Sequence, residues 1–310
     1  MLRDSIGVVT VTYNSSGFLD EFIACCNNQT FRNFRVYCID NNSTDDTVNL
    51  LNKIRDERWR ISVNRDNRGV AAGNNQGIIQ ALRDNCEWVL LLNNDTSFSA
   101  DCFEKLIGCC SVERWLVAVP KIYFDKPKGH IWYGGGNFSR MKGYSGQHLA
   151  MGELDVGQVN QRNVVEYAPT CAMLVHRSVF ERVGLMDEAY FVYFDDTDFC
   201  WRLKQAGAKI GYNPDAAIVH KVGGSTGGDR RPFTVRFTSR NRMFYIRKHF
   251  GVVRAIAWTP VFLGFYLVRF VTGRWGLSCL RASFEGTFSY FGLRTVEPDL
   301  RAELRKGTAE

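Results

Sequence analysis

Two groups of acidic residues in this sequence have the types and spacing that catalysis or metal binding needs. Asp95 follows Asn93 and Asn94 at the end of an apolar run, and Asp195 and Asp196 follow an aromatic run. A carboxylate at a strand end can bind Mg²⁺ or Mn²⁺, which take oxygen ligands and commonly share them with substrate phosphates. A carboxylate packed beside aromatic side chains has a pKa raised by desolvation, which suits a general base.

Each group also has a purely structural interpretation, and the residues alone leave both open. Asn93-Asn94-Asp95-Thr96 is favourable turn chemistry, and Asp196 or Asp198 can cap a helix. His220 ends a later apolar run. It is a candidate metal ligand or phosphate partner, although an isolated histidine is more often structural.

Further polar clusters follow other apolar runs, at Thr12-Tyr13-Asn14, at Asp40 and at Arg68. An acid such as Asp40 can accept hydrogen bonds from a ribose hydroxyl or a base N–H. A guanidinium such as that of Arg68 can pair with phosphate or stack on a base. The structural alternatives are a helix-entry turn for Asp40 and a solvated loop arginine for Arg68.

The elements that must position these clusters alternate between strands and helices. Apolar, strand-like runs cover 6–11, 34–39, 61–63 and 88–92, with helix-like stretches between them. This order predicts an α/β fold with a mostly parallel central sheet and helices on both faces. Ligands of such sheets bind beyond the carboxyl ends of the strands, so all the clusters should face one crevice.

Several local expectations follow for the rest of the chain. Ser43 with Asp46 predicts a helix start. A strand is expected over 167–175, and two short strands over 209–212 and 216–219. The polar segment 143–163 reads as a long loop, and long loops in compact domains are often functional.

The C-terminal part has a different character from the rest. The net charge is +7, yet residues 229–281 alone contain eleven Arg or Lys and one acid, set among aromatic residues. The apolar run 255–268 is shorter than the roughly 20 residues of a spanning helix, which predicts a buried or interfacial helix. We therefore predict two regions: an α/β domain over 1–232 and a basic, aromatic-rich helical extension over 233–310.

Cysteine usage and the N-terminal residues favour a cytoplasmic protein. The ten cysteines show no CxxC pairing and several lie in apolar runs, which indicates reduced core residues. The first five residues are too short and polar for a secretory signal. Nothing resembles a recognised nucleic-acid module, so no nucleic-acid partner is expected.

Taken in order, the motifs resemble those of family 2 glycosyltransferases with a GT-A fold. The six matching motifs are Val11-Thr12-Tyr13-Asn14; Asp40-Asn41-Asn42-Ser43-Thr44-Asp45; Asn67-Arg68-Gly69 with Gly73, Asn74, Asn75 and Gly77; Leu92-Asn93-Asn94-Asp95; Phe194-Asp195-Asp196-Thr197-Asp198 through Arg202; and His220 with Ser225. Single motifs are weak, but six in the expected order are strong. The resemblance covers residues 6–250 and is closest to the bacterial rhamnosyltransferase-like branch, which builds O-antigen, capsule or cell-wall glycans.

The resemblance implies a role for each site residue. The nucleotide pocket would be lined by Thr12, Tyr13, Asn14, Asp40, Arg68 and Asn94. Asp95 would bind Mg²⁺ or Mn²⁺, with His220 completing the metal or diphosphate site. The acidic pair Asp195-Asp196 would supply the base, with Asp196 favoured. Because Asn93 replaces the first acid of the DxD pattern, metal affinity should be weak without nucleotide.

The implied activity is inverting transfer of a sugar from a dTDP or UDP donor, with dTDP-rhamnose favoured. The acceptor would be a glycan or a polyprenyl-diphosphate-linked glycan, reached from the cytoplasmic face of the inner membrane by peripheral binding to anionic lipid. A nucleotidyltransferase is the alternative enzyme, but Asn14-Ser15-Ser16-Gly17 is not its Gly-rich, basic loop. A non-catalytic glycan-binding relative is disfavoured by the retained acids.

Overall fold

A computed structural model of the chain describes residues 5–221 and 231–306; Ser225, part of the last motif, lies outside them. The strands in the described residues are β1 (Ile6–Thr12), β2 (Phe34–Asp40), β3 (Trp59–Val63), β4 (Trp88–Leu92), β5 (Thr96–Phe98), β6 (Val117–Phe124), β7 (Ile131–Tyr133), β8 (Gly136–Ser139), β9 (Ser145–His148), β10 (Asn163–Val165), β11 (Ala172–His176) and β12 (Ile210–His220). The α-helices there are α1 (Ser16–Asn27), α2 (Thr47–Asn52), α3 (Gly69–Arg83), α4 (Cys102–Glu113), α5 (Arg177–Val183), α6 (Asp195–Gln205), α7 (Pro232–Phe250), α8 (Val252–Val271), α9 (Leu277–Ser289) and α10 (Leu300–Lys306).

One large sheet forms the centre, in the strand order β10-β12-β6-β11-β4-β1-β2-β3. Its core β3-β2-β1-β4 is parallel, and β6 and β12 are also parallel to each other. Strand β11 joins the two parts because it runs antiparallel to both β4 and β6. The register places Thr12 opposite Asp40 at the carboxyl ends of β1 and β2. The predicted crevice therefore lies at this edge.

Helix α3 comes unusually close to β1 because its facing positions are glycines. A Cβ at Gly77 would lie 2.4 Å from Val9 Cγ1, and a Cβ at Gly73 would lie 2.8 Å from both Val11 methyl groups. Real Cβ atoms do not tolerate such distances, since protein interiors are close-packed. The glycines of the Gly73–Gly77 motif therefore set the spacing between helix and sheet.

Two predicted element starts are wrong. Helix α2 begins at Thr47 rather than near Ser43, because the Ser43 backbone N–H and hydroxyl both donate to Asp40. The strand predicted over 167–175 begins only at Ala172. In both cases a long-range or side-chain contact replaces the local signal.

Two other segments also differ from expectation. The strands predicted over 209–212 and 216–219 are one strand, β12, whose register shifts between Asn213 and Ala217. The segment 143–163, predicted as a loop, contains β9, the second strand of an antiparallel hairpin in which Ser139 pairs with Ser145 and Gly136 with His148. The hairpin tip contacts the C-terminal helices, because the Tyr245 hydroxyl donates to the Tyr144 carbonyl over 3.1 Å.

The C-terminal helices form a second hydrophobic cluster that includes residues from the main domain. Tyr190 and Phe194, which precede α6, are buried with Phe244, Tyr245 and Phe262. Helix α10 returns to the main core and contacts α3 and α5. The predicted extension over 233–310 therefore shares buried contacts with the α/β domain twice, through α7–α9 and again through α10.

Helix α8 is longer than the apolar run predicted. It spans twenty residues and is the one helix of the described chain long and apolar enough to cross a membrane by length and composition. Only 17% of its most apolar window is buried. One face, with Ala255, Phe262 and Tyr266, packs on the neighbouring helices. The other leaves Val253 and Val271 about three-quarters exposed, at 76% and 74%.

The segment immediately before α6 has an unusual backbone. Phe191, Tyr193 and Phe194 all have positive φ, at 64°, 65° and 68°. The amide nitrogen of Asn241 on α7 lies 2.8, 2.7 and 2.8 Å from the carbonyl oxygens of residues 190, 192 and 193. Non-glycine residues adopt this conformation only where surrounding structure holds them. Asn241 is therefore a clamp on the entry to α6.

Candidate active site

Asp40 joins the carboxyl ends of β1 and β2. Its Oδ1 accepts hydrogen bonds from the Thr12 hydroxyl at 2.8 Å and the Ser43 hydroxyl at 2.6 Å. Its Oδ2 accepts from the Ser43 backbone N–H at 2.9 Å. Asp40 and Thr12 are both fully buried. Since a buried carboxylate needs such donors, the cluster braces this edge of the sheet.

Asn14 connects the same edge to the loop after β2. Its side-chain oxygen accepts from the Thr44 backbone N–H at 2.8 Å, and its own N–H donates to the Ser43 hydroxyl. Asn14 has φ of 50°, a conformation that asparagine tolerates better than most residues. Tyr13 beside it is 41% exposed. An aromatic face therefore lies open next to a rigid polar turn.

Arg68 and Gly69, at the start of α3, contact the segment that precedes α6. The Arg68 side chain is 45% exposed and its nearest acid is Glu188, at 3.9 Å. Gly69 has φ of +83°, and a Cβ there would lie 2.4 Å from the Phe191 carbonyl oxygen. The next N–H, from Val70, donates to that same oxygen at 2.6 Å. Glycine is required here for both the conformation and the contact.

Asn94 and Asp95 extend β4 into the crevice. The Asn94 side chain donates to the Val11 carbonyl at 2.6 Å, which ties β4 to β1. The Asp95 carbonyl accepts from the Lys221 N–H, and Thr96 pairs with His220. Strand pairing between β5 and β12 thus places His220 beside Asp95.

Asp95 and His220 have the character of an open ligand set. Asp95 Oδ1 lies 3.1 Å from His220 Nε2, yet this oxygen makes no hydrogen bond within the described residues. His220 Nδ1 is likewise buried without a hydrogen-bond partner there. Buried polar atoms normally have partners, so unpaired ones point to a missing ligand.

The donor set fits a divalent cation that other ligands complete. Carboxylate oxygen and imidazole nitrogen are both used by Mn²⁺, and carboxylate oxygen by Mg²⁺. Among residues 5–221 and 231–306, no group of three or more His, Cys, Asp or Glu forms a metal site. Two side chains alone hold a metal weakly, so phosphate and water oxygens must supply the remaining positions.

Asp195 and Asp196 form the first turn of α6. Asp196 Oδ2 accepts from the Tyr167 hydroxyl at 2.8 Å, and Oδ1 accepts from the Thr197 N–H at 2.6 Å. Burial raises the pKa of Asp196. Burial, and then the negative charge of Asp196, raise the pKa of Asp195 to about 7. The pair therefore holds a proton more readily than ordinary aspartates do.

Asp198, the third acid of this cluster, has a structural environment. It is fully buried, and its carboxylate contacts His249 at 2.7 Å, Arg202 at 2.8 Å and Lys248 at 2.8 Å. Against its burial, the His249 hydrogen bond and the charges of Arg202 and Lys248 hold the pKa of Asp198 well below its usual range. Asp198 thus anchors α6 to α7 as a permanent anion.

Three residues that the motifs did not predict connect the two acidic groups. Trp132 packs edge-on against His220, with ring centroids 4.7 Å apart, and against His148 at 4.5 Å. His148 stacks on Tyr167 at 5.8 Å, and Tyr167 bonds Asp196. Tyr167 was predicted only as the start of a strand, and no motif marked Trp132 or His148.

The predicted site residues thus fall into two adjoining parts of one sheet edge. The first contains Thr12, Tyr13, Asn14, Asp40, Arg68 and Asn94. The second contains Asp95, His220, Asp195 and Asp196. The Asn94 hydrogen bond to Val11 and the Gly69 contact with Phe191 join the two parts. With a divalent cation at Asp95 and His220 the arrangement can hold an anionic group there, and Asp196 can accept a proton at the start of α6.

Comparison with known proteins agrees with this geometry. The model of the family "Glycosyl transferase family 2" matches residues 7–184. The N-acetylglucosaminyl-diphospho-decaprenol L-rhamnosyltransferase of Mycobacterium tuberculosis is 28% identical over 282 residues, covering 83% of this chain and 90% of that protein. The dTDP-rhamnosyl transferase RfbF of Shigella flexneri is 26% identical, covering 72% of this chain and 71% of its own.

Solved structures with low sequence identity share the fold. GalNAc-T7 with UDP, GalNAc and Mn²⁺ superposes with a TM-score of 0.59 at 14% identity, over 78% of this chain. This chain spans 47% of the GalNAc-T7 chain. The mannosyltransferase PcManGT from Pyrobaculum calidifontis, in complex with GDP-Man and Mn²⁺, gives 0.57 at 13% identity, over 100% of this chain and 81% of that one.

These matches confirm the family, the GT-A fold and the enzyme class that the motifs predicted. The family model covers more than half of the chain, and it includes every motif from Thr12 to Asp95. The chain belongs to glycosyl transferase family 2, in its rhamnosyltransferase-like branch.

Proposed function

We propose that this glycosyltransferase moves a sugar with inversion from a nucleotide-sugar, with dTDP-rhamnose favoured, to a polyprenyl-diphosphate-linked glycan in bacterial surface polysaccharide synthesis. The observation that carries the proposal is that two buried sites are connected by the packed side chains of Trp132, His148 and Tyr167. One site, at Asp95 and His220, has ligand atoms without a hydrogen-bond partner in the described residues; the other, at Asp196, has a raised pKa. The names of the relatives from M. tuberculosis and S. flexneri support the choice of sugar and acceptor.

In this proposal Asp196 is the general base. An acceptor hydroxyl donates its proton to Asp196, and the oxygen attacks the anomeric carbon opposite the leaving nucleoside diphosphate. Asp196 Oδ1 accepts from both the Thr197 N–H and the Thr197 hydroxyl, whereas Oδ2 accepts only from Tyr167 within the described residues and keeps a second lone pair for the incoming proton. Asp195 is the fallback assignment.

The nucleotide would lie along the first part of the site. Tyr13 and Arg68 present accessible side chains there, while Thr12 and Asp40 brace the floor beneath them. Asp95 and His220 would hold the divalent cation, which when bound supplies positive charge for the diphosphate. The Arg68 guanidinium can add a second positive charge on the donor side.

The exposed face of α8 would dock the enzyme on an anionic membrane without crossing it. The opposite face is already packed on the protein through Ala255, Phe262 and Tyr266, so α8 is not free to insert alone. A helix with one packed and one apolar exposed face lies in the membrane interface. Nearby arginines such as Arg254 and Arg274 each contribute roughly 1 kcal/mol close to anionic lipid.

The activity can be tested by nucleoside diphosphate release from a panel of nucleotide-sugars that includes dTDP-rhamnose. The acceptor is a polyprenyl-diphosphate-linked N-acetylglucosamine. Asp196→Asn should lower turnover by roughly 10² or more, because base catalysis contributes that much. The control Asp20→Asn, at an exposed position of α1, should leave turnover unchanged. Near-normal turnover in both Asp196→Asn and Asp195→Asn would refute the assignment of the base.

The pH dependence of turnover should report the base. Since burial raises the pKa of the acid pair and the base must be ionised, turnover should fall as the pH drops through that raised pKa. Tyr167 donates to the charged form of Asp196 and lowers its pKa. Tyr167→Phe should therefore move the acid limb to higher pH, whereas Tyr212→Phe should not. An acid limb that stays in place would exclude Asp196 as the titrating group.

Metal binding should depend on the nucleotide. Calorimetry with Mn²⁺ should show little heat for the protein alone and clear binding once a nucleoside diphosphate is present, because the protein offers only two ligands in the described chain. Asp95→Asn should abolish this binding, and the exposed control Asp215→Asn should preserve it. Full turnover in excess EDTA would count against a catalytic metal.

Membrane docking should depend on the exposed face of α8. Sedimentation with vesicles containing anionic phospholipid should remove the enzyme from solution, less so in high salt. The double variant Val253→Glu/Val271→Glu should weaken sedimentation. Val112→Glu, at a similarly exposed valine (73%) on α4, is the control. Equal recovery in the soluble fraction with and without anionic vesicles would contradict membrane docking.

A further inference from the structure

His148 occupies the space between the proposed diphosphate and base sites. On one side Trp132 separates it from His220, the partner of Asp95. On the other side it stacks on Tyr167, which bonds Asp196. If the proposed function holds, the transferred sugar must lie between its leaving diphosphate and the attacking oxygen. His148 therefore belongs to the part of the site that surrounds the sugar.

The protonation of the His148 ring follows from its hydrogen bond. Nδ1 lies 2.8 Å from the Trp132 carbonyl oxygen, which can only accept, so Nδ1 carries a proton and donates it. Burial lowers the pKa of His148 to about 4, so the ring is neutral near pH 7. In a neutral ring with Nδ1 protonated, Nε2 is an acceptor. No protein donor reaches this nitrogen in the described parts of the chain.

The ring is also held firmly in position. Trp132 and Tyr133 pack edge-on against it at 4.5 and 5.2 Å. The β8–β9 hairpin that carries it presses on Tyr167, since a Cβ at Gly146 would lie 2.3 Å from the Tyr167 ring. A preorganised acceptor in a site that excludes water discriminates strongly among hydroxyl patterns, because an unmatched group loses its partner.

We propose that His148 is a specificity-determining residue whose Nε2 accepts a hydrogen bond from a ring hydroxyl of the transferred sugar. Nδ1 faces the Trp132 carbonyl, so Nε2 lies on the far edge of the ring and is the atom left for substrate. In this proposal His148 recognises the donor sugar, and the acid pair Asp195 and Asp196 abstracts the acceptor proton. This inference rests on the proposed function.

Two substitutions separate this role from a packing role. His148→Asn keeps an amide N–H near the position of Nδ1 and removes the acceptor at Nε2. His148→Gln does the reverse and places an amide group near Nε2. A purely structural histidine, needed for its bond to the Trp132 carbonyl, would be replaced better by Asn. A hydroxyl-reading histidine would be replaced better by Gln.

The experiment measures kcat/KM for dTDP-rhamnose and for three analogues that each lack one ring hydroxyl. In the unsubstituted enzyme, kcat/KM for one analogue should be roughly 10- to 100-fold lower than for dTDP-rhamnose, as expected for an unpaired buried acceptor. In His148→Asn the ratio of the two kcat/KM values should fall towards one, and in His148→Gln most of the difference between them should remain. His130→Gln, two residues before Trp132, is the control and should match the unsubstituted enzyme.

Several outcomes would overturn the inference. Full discrimination in His148→Asn would show that another group reads the hydroxyl. If substitution of His148 changed the discrimination among acceptors that lack a hydroxyl, while the donor analogues were used equally well, the contact would be with the acceptor glycan instead. Loss of activity in His148→Gln with normal activity in His148→Asn would indicate a packing role. If the unsubstituted enzyme releases no nucleoside diphosphate from any nucleotide-sugar, the proposed function itself fails, which is a separate result.

Discussion

The backbone of residues 190–194 is the constraint on which the site depends. Three non-glycine residues there have left-handed φ, and such residues cost of order 1–3 kcal/mol each. The strain is offset from two sides. On the side of the predicted nucleotide pocket, the Val70 N–H donates to the Phe191 carbonyl. On the other side, the Asn241 side chain of α7 contacts the carbonyls of residues 190, 192 and 193. Because α6 starts directly after this segment, its position sets where Asp195 and Asp196 lie.

The same constraint changes how the basic C-terminal region is understood. Lys248 and His249 contact the buried Asp198, and Arg240 donates to the carbonyls of residues 189 and 190. These side chains hold α6 and the segment before it in place, and they do not face solvent freely. The electrostatic attraction to lipid must therefore come from a smaller set, such as Arg254 and Arg274, than the total charge of the segment suggests. The proposed docking relies more on the apolar face of α8 than on charge.

Sequence reasoning located the strand-end residues because parallel strands carry their carboxyl ends to one edge, wherever the helices lie. Asp95 was accessible by that argument, and Asp196 was accessible through its aromatic neighbours and the family resemblance. His148 and Trp132 were not accessible, since they lie on β9 and β7, whose positions depend on long-range contacts with Tyr167 and β6, and no local pattern encodes such contacts. Asn241 was missed for a related reason: its partners are about fifty residues earlier in the chain. The length of α8 was underestimated because flanking residues 252–254 and 269–271 continue the helix despite their charges.

The clamp at Asn241 also bears on the biosynthesis of the enzyme. During translation, Thr12 and Asp40 emerge first and can assemble with the rest of β1 to β4, because domains fold from the N-terminus as they leave the ribosome. The carbonyls of residues 190, 192 and 193 cannot bind Asn241 until α7 emerges. A nascent chain, or one cleaved after β12, would therefore retain the proposed nucleotide surface, while α6, which carries the proposed base, would lack its clamp. In the proposed mechanism catalytic competence arrives late in synthesis, together with the helices proposed to dock the enzyme on the membrane.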